Sequence, residues 1–152
     1  MSGWIPHVVV ASVVERDGRF LIVEERINGA SKLNQPAGHW EQGETLVEGA
    51  VREALEETGW DVRPTHLLGI YHYDPAGLAY GFLRIAFVAE ALQERVGHKL
   101  DHGIERALWM TRDELVAAQA RHRSPMVLRG VDDYLAGRRL PLDLIAHLNE
   151  AR

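Results

Sequence analysis

From Gly38 to Trp60 the chain reads Gly-His-Trp-Glu-Gln-Gly-Glu-Thr-Leu-Val-Glu-Gly-Ala-Val-Arg-Glu-Ala-Leu-Glu-Glu-Thr-Gly-Trp, and the second half of this stretch carries start and stop signals for a helix. Thr45 is a residue type that caps helix N-termini, and Glu48 three positions later completes a capping box. Gly59 stands where a left-handed residue closes a helix. At about 100° per residue, Val47, Ala50, Val51, Ala54 and Thr58 share one stripe, the predicted buried face. Glu53, Glu56 and Glu57 share an arc of roughly 100° that the same count sets on the far side.

Like charges three and four residues apart repel by a few tenths of a kcal/mol per pair, so helix stability alone does not ask for this cluster. A divalent cation does. Mg²⁺ and Mn²⁺ take hard oxygen ligands in octahedral geometry, and carboxylates on one rigid face supply part of that shell while leaving sites for water and phosphate. Arg52 has Glu48 and Glu56 at four-residue spacing and is expected to pair with both, orienting the ligands.

Gly38, Glu44, Arg52, Glu53, Glu56, Glu57 and Gly59 stand at the spacing of the Nudix box, a loop-helix-loop signature that binds metal and a diphosphate. With each residue type at roughly 5–7% usage, matching these positions by chance is on the order of one in 10⁸ per start site. The chain therefore resembles the Nudix hydrolases. The resemblance implies an α/β fold with a mixed β-sheet sandwiched between α-helices. It also implies Mg²⁺, with Mn²⁺ as a substitute, on Glu53, Glu56, Glu57 and the Gly38 carbonyl. Glu56, Glu57, Glu44 and Arg52 become the candidate catalytic residues. The base that takes the proton from the attacking water is left open among Glu56, Glu44 and an acid from a later loop. Many family members carry that acid at the position held here by Gly103, with Asp101 and Glu105 as its neighbours.

Length and charge restrict the rest. With 152 residues, 46% hydrophobic and 26% charged, the chain is expected to form one domain over residues 1–152. A net charge of −5 gives no basic field for nucleic acid or an anionic membrane. Cysteine is absent, so there is neither disulfide nor thiolate zinc site. Met1–Pro6 lacks a signal pattern and no apolar run reaches the ~18 residues of a membrane span, which predicts a cytoplasmic protein, monomer or homodimer, acting on a small phosphorylated molecule.

Strands are expected at His7–Val14 and Phe20–Val23 around an Asp17-Gly18 turn, with Glu24 and Glu25 ending the second. An irregular loop follows through Pro36 and Gly38. Further strands are expected at Thr65–Tyr73, Gly81–Glu90 and Glu105–Met110. Thr111 should cap a second helix, and Ser124-Pro125 should open a third that Gly137 stops.

Segments flanking the box, Glu24 to Gly29, Leu33 to His39, Arg123 to Pro125 and Gly137 to Leu142, resemble a subgroup of bacterial phosphatases within the family. This implies removal of terminal phosphate from nucleoside tri- and diphosphates and from the hydroxymethylpyrimidine pyrophosphate of thiamine synthesis. Asn34, Gln35, His39 and Arg84 are the candidate substrate contacts. Arg84 interrupts an apolar strand and either reaches phosphate or faces solvent. Tyr71, His72 and Tyr73 either stack on a base or belong to the core. Two other readings compete: a Nudix pyrophosphatase for ADP-ribose or a damaged nucleotide, for which Pro75 is the hint, and a nucleotide-binding Nudix regulator without catalysis.

Overall fold

Strand β1 (His7–Arg16) is the axis around which the chain is arranged in a computed structural model describing residues 4–150; the first three residues of the stretch read for a signal lie outside it. Asp17 and Gly18, with φ of 52° and 79°, reverse the chain into β2 (Arg19–Ile27), as a two-residue turn with both φ positive does. The pair separates at once: β1 and β2 are registered only at Glu15↔Phe20 and Arg16↔Arg19. Beyond that point β1 runs parallel to β6 (Phe82–Glu94), from His7↔Phe82 to Val14↔Ala89. Its other edge takes β4 (Ala37–His39) at Val9↔His39. Meanwhile β2 pairs with β3 (Ala30–Asn34) and β7 (Ile104–Thr111), and β5 (Trp60–Tyr73) lies outside β6. The result is a seven-stranded mixed sheet.

Alternation along β1 decides what covers each face. Val10 and Val14 join Ile85, Phe87 and Leu21 beneath α1 (Leu46–Thr58), which contributes Ala50 and Ala54. Ala11 and Val13 face the other way, with Leu115 of α2 (Arg112–Ala117) and Val131 of α3 (Met126–Leu135). The mixed sheet between helices is as expected.

Several local expectations need correction. Glu24 and Glu25 do not end β2, because both still pair with β7 on one side and β3 on the other continues the ladder to Ile27. The supposed irregular loop contains β3 and β4, and a second turn with positive φ, Asn28-Gly29, starts β3. β5 begins at Trp60, not Thr65, β6 runs to Glu94, not Glu90, and the third helix starts at Met126 after Ser124 accepts its N–H at 3.1 Å. Among the described residues no helix is long and apolar enough to cross a membrane.

Candidate active site

The box helix is fixed at both ends as its sequence predicts. Glu48 N–H donates to Thr45 Oγ1 at 3.1 Å, Thr45 N–H donates to Glu48 Oε1 at 2.8 Å, and Gly59 closes the helix at φ 76°. Glu48 is thereby engaged in the cap and does not pair with Arg52, contrary to expectation. Arg52 turns to Glu44, whose carboxylate accepts from Nε at 2.9 Å and Nη2 at 2.7 Å. Nη1 donates to Glu53 at 2.8 Å and Glu56 at 3.1 Å, and Nη2 also reaches the His39 carbonyl at 3.1 Å. One guanidinium thus ties the loop before α1 to two of the helix carboxylates. Hydrogen bonding from Arg52 holds the Glu44 carboxyl below its ordinary range, and Glu44 also accepts the Glu41 N–H at 2.9 Å.

The three helix carboxylates are not all on the solvent side. Glu53 is only 7% exposed, alongside the buried Gly49, Ala50, Ala54 and Thr58, whereas Val47 and Val51 are half-buried. The buried face is therefore rotated toward the glutamates, because Gly38 on β4 makes room for one of them. A methyl group at Gly38 would lie 2.2 Å from Glu53 Cδ and 2.3 Å from each carboxylate oxygen. The carboxylate occupies the volume a side chain would fill. Glu57 accepts the Ala37 N–H at 2.9 Å from the same strand. Burial pushes Glu57 up to about 8, with the charges of Glu53, Glu25 and Asp101 adding to the rise against the Ala37 bond. Burial also raises Glu53, opposed by Arg52.

These groups form one wall of a cleft of about 440 Å³. Arg84 lines the same cleft and does not face solvent: it is 4% exposed, and burial lowers it to about 10 against the charges of Glu57 and Glu25. Its Nη1 donates to Gln35 Oε1 and its Nη2 to Asn34 Oδ1, both at 3.0 Å, while Nε has no partner. Among the described residues no carboxylate pairs with it. Asn34 and His39, two of the candidate substrate contacts, line the cleft, and the His39 ring meets His7 at 3.1 Å. Gln35 does not line it. At 2% exposure, it lies behind Arg84 with its amide N–H donating to the Val127 carbonyl at 2.7 Å, so the reading as a direct contact is corrected. Tyr73 reaches the cleft with Phe82, whereas Tyr71 points to the α3 side and donates to Asp133 at 2.7 Å. Pro75 is not among the lining residues.

Two further acids line the cleft: Asp101, which the sequence offers only as a neighbour of Gly103, and Glu25, which it does not offer. Asp101 lines the wall beside Glu53 and Glu57, its backbone N–H donating to the Glu56 carbonyl at 2.9 Å, while its neighbour Glu105 turns to Arg26 at 3.5 Å. The shift of two residues from Gly103 is the only signal, and it left Asp101 and Glu105 equal. Glu25 also lines the cleft and pairs with Arg123 at 3.1 Å. Its strand alternation with Val23 and Ile27 was the available signal, obscured by ending β2 too early.

As the side chains stand, no three acids or histidines among the described residues converge on a point at metal-ligand spacing, since Arg52 holds Glu53 and Glu56. The donor set nonetheless fits a hard divalent cation. Buried carboxylates that raise one another's pKa are stabilised by such an ion in the way a proton stabilises them, and they are the oxygen donors it prefers.

The model of the NUDIX domain matches residues 4–129. The chain belongs to the Nudix hydrolase family. It is 41% identical over 144 residues, 95% of this chain and 93% of theirs, to the proteins named Phosphatase NudJ of Escherichia coli and Shigella flexneri. A solved NUDIX hydrolase from Nitrosomonas europaea superposes with a TM-score of 0.94 at 44% identity, covering 97% of this chain and 100% of that one. A UDP-X diphosphatase structure, at TM-score 0.72 and 18% identity over 93% of this chain and 68% of that one, shares the fold. This Nudix protein is thus a phosphohydrolase similar to the NudJ phosphatases, a hydrolase of phosphoric anhydrides, from a family that generally uses a divalent metal. That sets aside the regulator without catalysis.

Proposed function

We propose that this Nudix hydrolase removes the terminal phosphate from nucleoside tri- and diphosphates and from hydroxymethylpyrimidine pyrophosphate, with Mg²⁺ as cofactor and Mn²⁺ as a substitute. The observation that carries the reading is the pairing, within one cleft, of the Glu53, Glu56 and Glu57 wall with the buried, unpaired Arg84. A phosphate chain supplies the anion Arg84 lacks. That the NudJ relatives are phosphatases by name supports cleavage of a terminal phosphate over cleavage within a dinucleotide.

Glu53, Glu57, Glu56 and the Gly38 carbonyl would hold the metal, which when bound neutralises charge on the phosphoryl and leaving oxygens. Arg84 holds the inner phosphate from the floor, and Arg123 at the cleft's edge adds a second cation. Asn34 and His39 contact the sugar or ring, and Tyr73 and Phe82 give it an apolar seat. Glu44, with both oxygens on Arg52, positions that hub and is not the base. Of the two remaining carboxylates, Glu56 is already held by Arg52, so we assign proton removal from water to Asp101, which stands outside that network. Water attacks the terminal phosphorus in line, the P–O bond to the bridging oxygen breaks, and orthophosphate leaves.

The protein is read as one domain over residues 1–152, working in the cytoplasm as a monomer or homodimer on small molecules; the net charge of −5 supports excluding nucleic acid and anionic membranes. The test is a panel of NTPs, NDPs, ADP-ribose and the pyrimidine pyrophosphate with Mg²⁺, quenched early. Orthophosphate with NDP from an NTP is expected. Early NMP with equimolar pyrophosphate would overturn the assignment and favour the pyrophosphatase.

A further inference from the structure

We infer that Gln35 is a positioning residue, tying Arg84 to helix α3 so that the buried guanidinium stays both aimed and uncompensated, ready for a tetrahedral oxyanion. The inference rests on the reading that Arg84 meets substrate phosphate.

Arg84 stands on β6 with two side-chain acceptors, and both are neutral amides from the end of β3 and the residue after it. Asn34 lines the cleft and can contact substrate itself; Gln35 cannot, being buried behind the guanidinium. The second end of Gln35 donates to the Val127 carbonyl at 2.7 Å, in the first turn of α3. One turn on, Gly130 packs beneath it, where an added methyl would come 3.6 Å from Nε2. A further bond, Arg123 N–H to the Leu33 carbonyl at 2.8 Å, joins the approach to α3 to the same strand. The direction of the Arg84 fork therefore follows the seat of α3, whose entry residues Ser124 and Met126 line the cleft as well.

The amide is the group this position requires. A carboxylate would orient the fork equally well but would be the counter-ion that Arg84 lacks, cancelling the charge a phosphate needs. It would also set an acceptor oxygen against the Val127 carbonyl oxygen, where the amide N–H now donates at 2.7 Å. An apolar side chain would leave the charge free but the fork unaimed and without its tie to α3. Only a neutral group with an acceptor at one end and a donor at the other orients the cation without neutralising it.

The test compares Gln35→Glu with Gln35→Met in the full chain. Both lose the bond to Val127, so a merely structural role would lower their melting temperatures and activities alike. Binding of inorganic phosphate is measured by calorimetry on EDTA-treated protein, and KM and kcat are measured with Mg²⁺ on the best substrate of the panel. In Gln35→Glu, the phosphate Kd and the substrate KM are expected to rise by about tenfold or more with kcat within about threefold, as when binding shared by ground and transition states is lost. Gln35→Met should raise both by about threefold, because the cation stays uncompensated. Wild-type Kd and KM in folded Gln35→Glu, or equal changes in the two variants, would overturn the proposal, as would wild-type protein that binds no phosphate without metal. Should Gln35→Glu not accumulate in folded form, Gln35→Met decides: a raised KM at nearly unchanged kcat supports the role and an unchanged KM refutes it. Because the phosphate titration involves no turnover, early pyrophosphate release would sink the proposed cut while leaving Gln35 to be judged separately.

Discussion

Gly38→Ala is the substitution that most directly tests how the carboxylate wall is built. Gly38 has no positive φ, so alanine fits its backbone without strain, and the consequence falls on what occupies the missing side chain's volume. The new methyl would meet Glu53 Cδ at 2.2 Å, whereas ordinary contact begins at 3.4 Å, so the carboxyl must retreat by about 1.2 Å. That movement breaks the 2.8 Å bond from Arg52 Nη1 and carries one oxygen donor out of the wall. A misplacement of ~1 Å among reacting groups costs on the order of 10²-fold in rate, and we expect kcat to fall by that factor with a weakened response to Mg²⁺. Stability should change by no more than about 1 kcal/mol, because the displaced group is already near the cleft and no core contact is lost.

The assay is a Mg²⁺ titration of initial rate beside a thermal melt, with Gly130→Ala as control. At Gly130 an added methyl meets Val13 and Gln35 at 3.5 and 3.6 Å, which is ordinary contact, and in mid-helix alanine is favoured over glycine by roughly 0.5–1 kcal/mol. The control should melt at or above the wild type and keep its rate. Gly38→Ala with wild-type kcat and metal response would mean that Glu53 is not held where the wall needs it, and the assignment of that wall would fail.

Glu57→Gln should keep the fold and lose at least ~10²-fold in kcat, and EDTA should abolish turnover of the wild type; full activity in either case would falsify the metal role of the helix. Because Glu57 is held up to about 8 in the folded protein against 4.5 ordinarily, the folded state retains a proton that the unfolded chain releases between those values. Metal-free protein should therefore be most stable near the acid end of that window and lose stability as pH rises toward 8, with Mg²⁺ restoring more at pH 8 than at pH 6. A melting temperature of EDTA-treated protein that rises across this window would refute the shift. Ala54→Asp, at a residue 0% exposed between Val14 and Leu21, should cost several kcal/mol, and Val51→Asp clearly less; equal melting temperatures would mean the buried face of α1 is wrongly placed.

What the sequence exposed and what it hid divide along a physical line. The ends of α1 were legible because caps are local: Thr45, Glu48 and Gly59 act on backbone groups within one turn, and Thr111 with Glu114 repeats the capping box on α2. The turn at Asp17-Gly18 was legible for the same reason. The rotation of α1 was not, because the count of apolar residues assumes that carboxylates seek solvent, and here a glycine on another strand opens a place for one inside. β3 was missed because its exposed and half-buried residues Ala30, Ser31 and Lys32 show no apolar alternation; its pairing to β2 holds it as a strand. Arg84 was undecided for a deeper reason. Whether a strand arginine is a surface residue or a buried cation depends on what stands beside it, and its partners Asn34 and Gln35 lie 50 and 49 residues away. A contact equally remote in sequence, to Val127, hid the role of Gln35, since a residue beside the start of the box looks like a ligand contact until the helix behind it is known. Spacing within one helix names the carboxylate side of the cleft; the side that holds Arg84 is assembled from β3, β6 and α3, and only their packing shows that this buried cation has no carboxylate paired with it among the described residues.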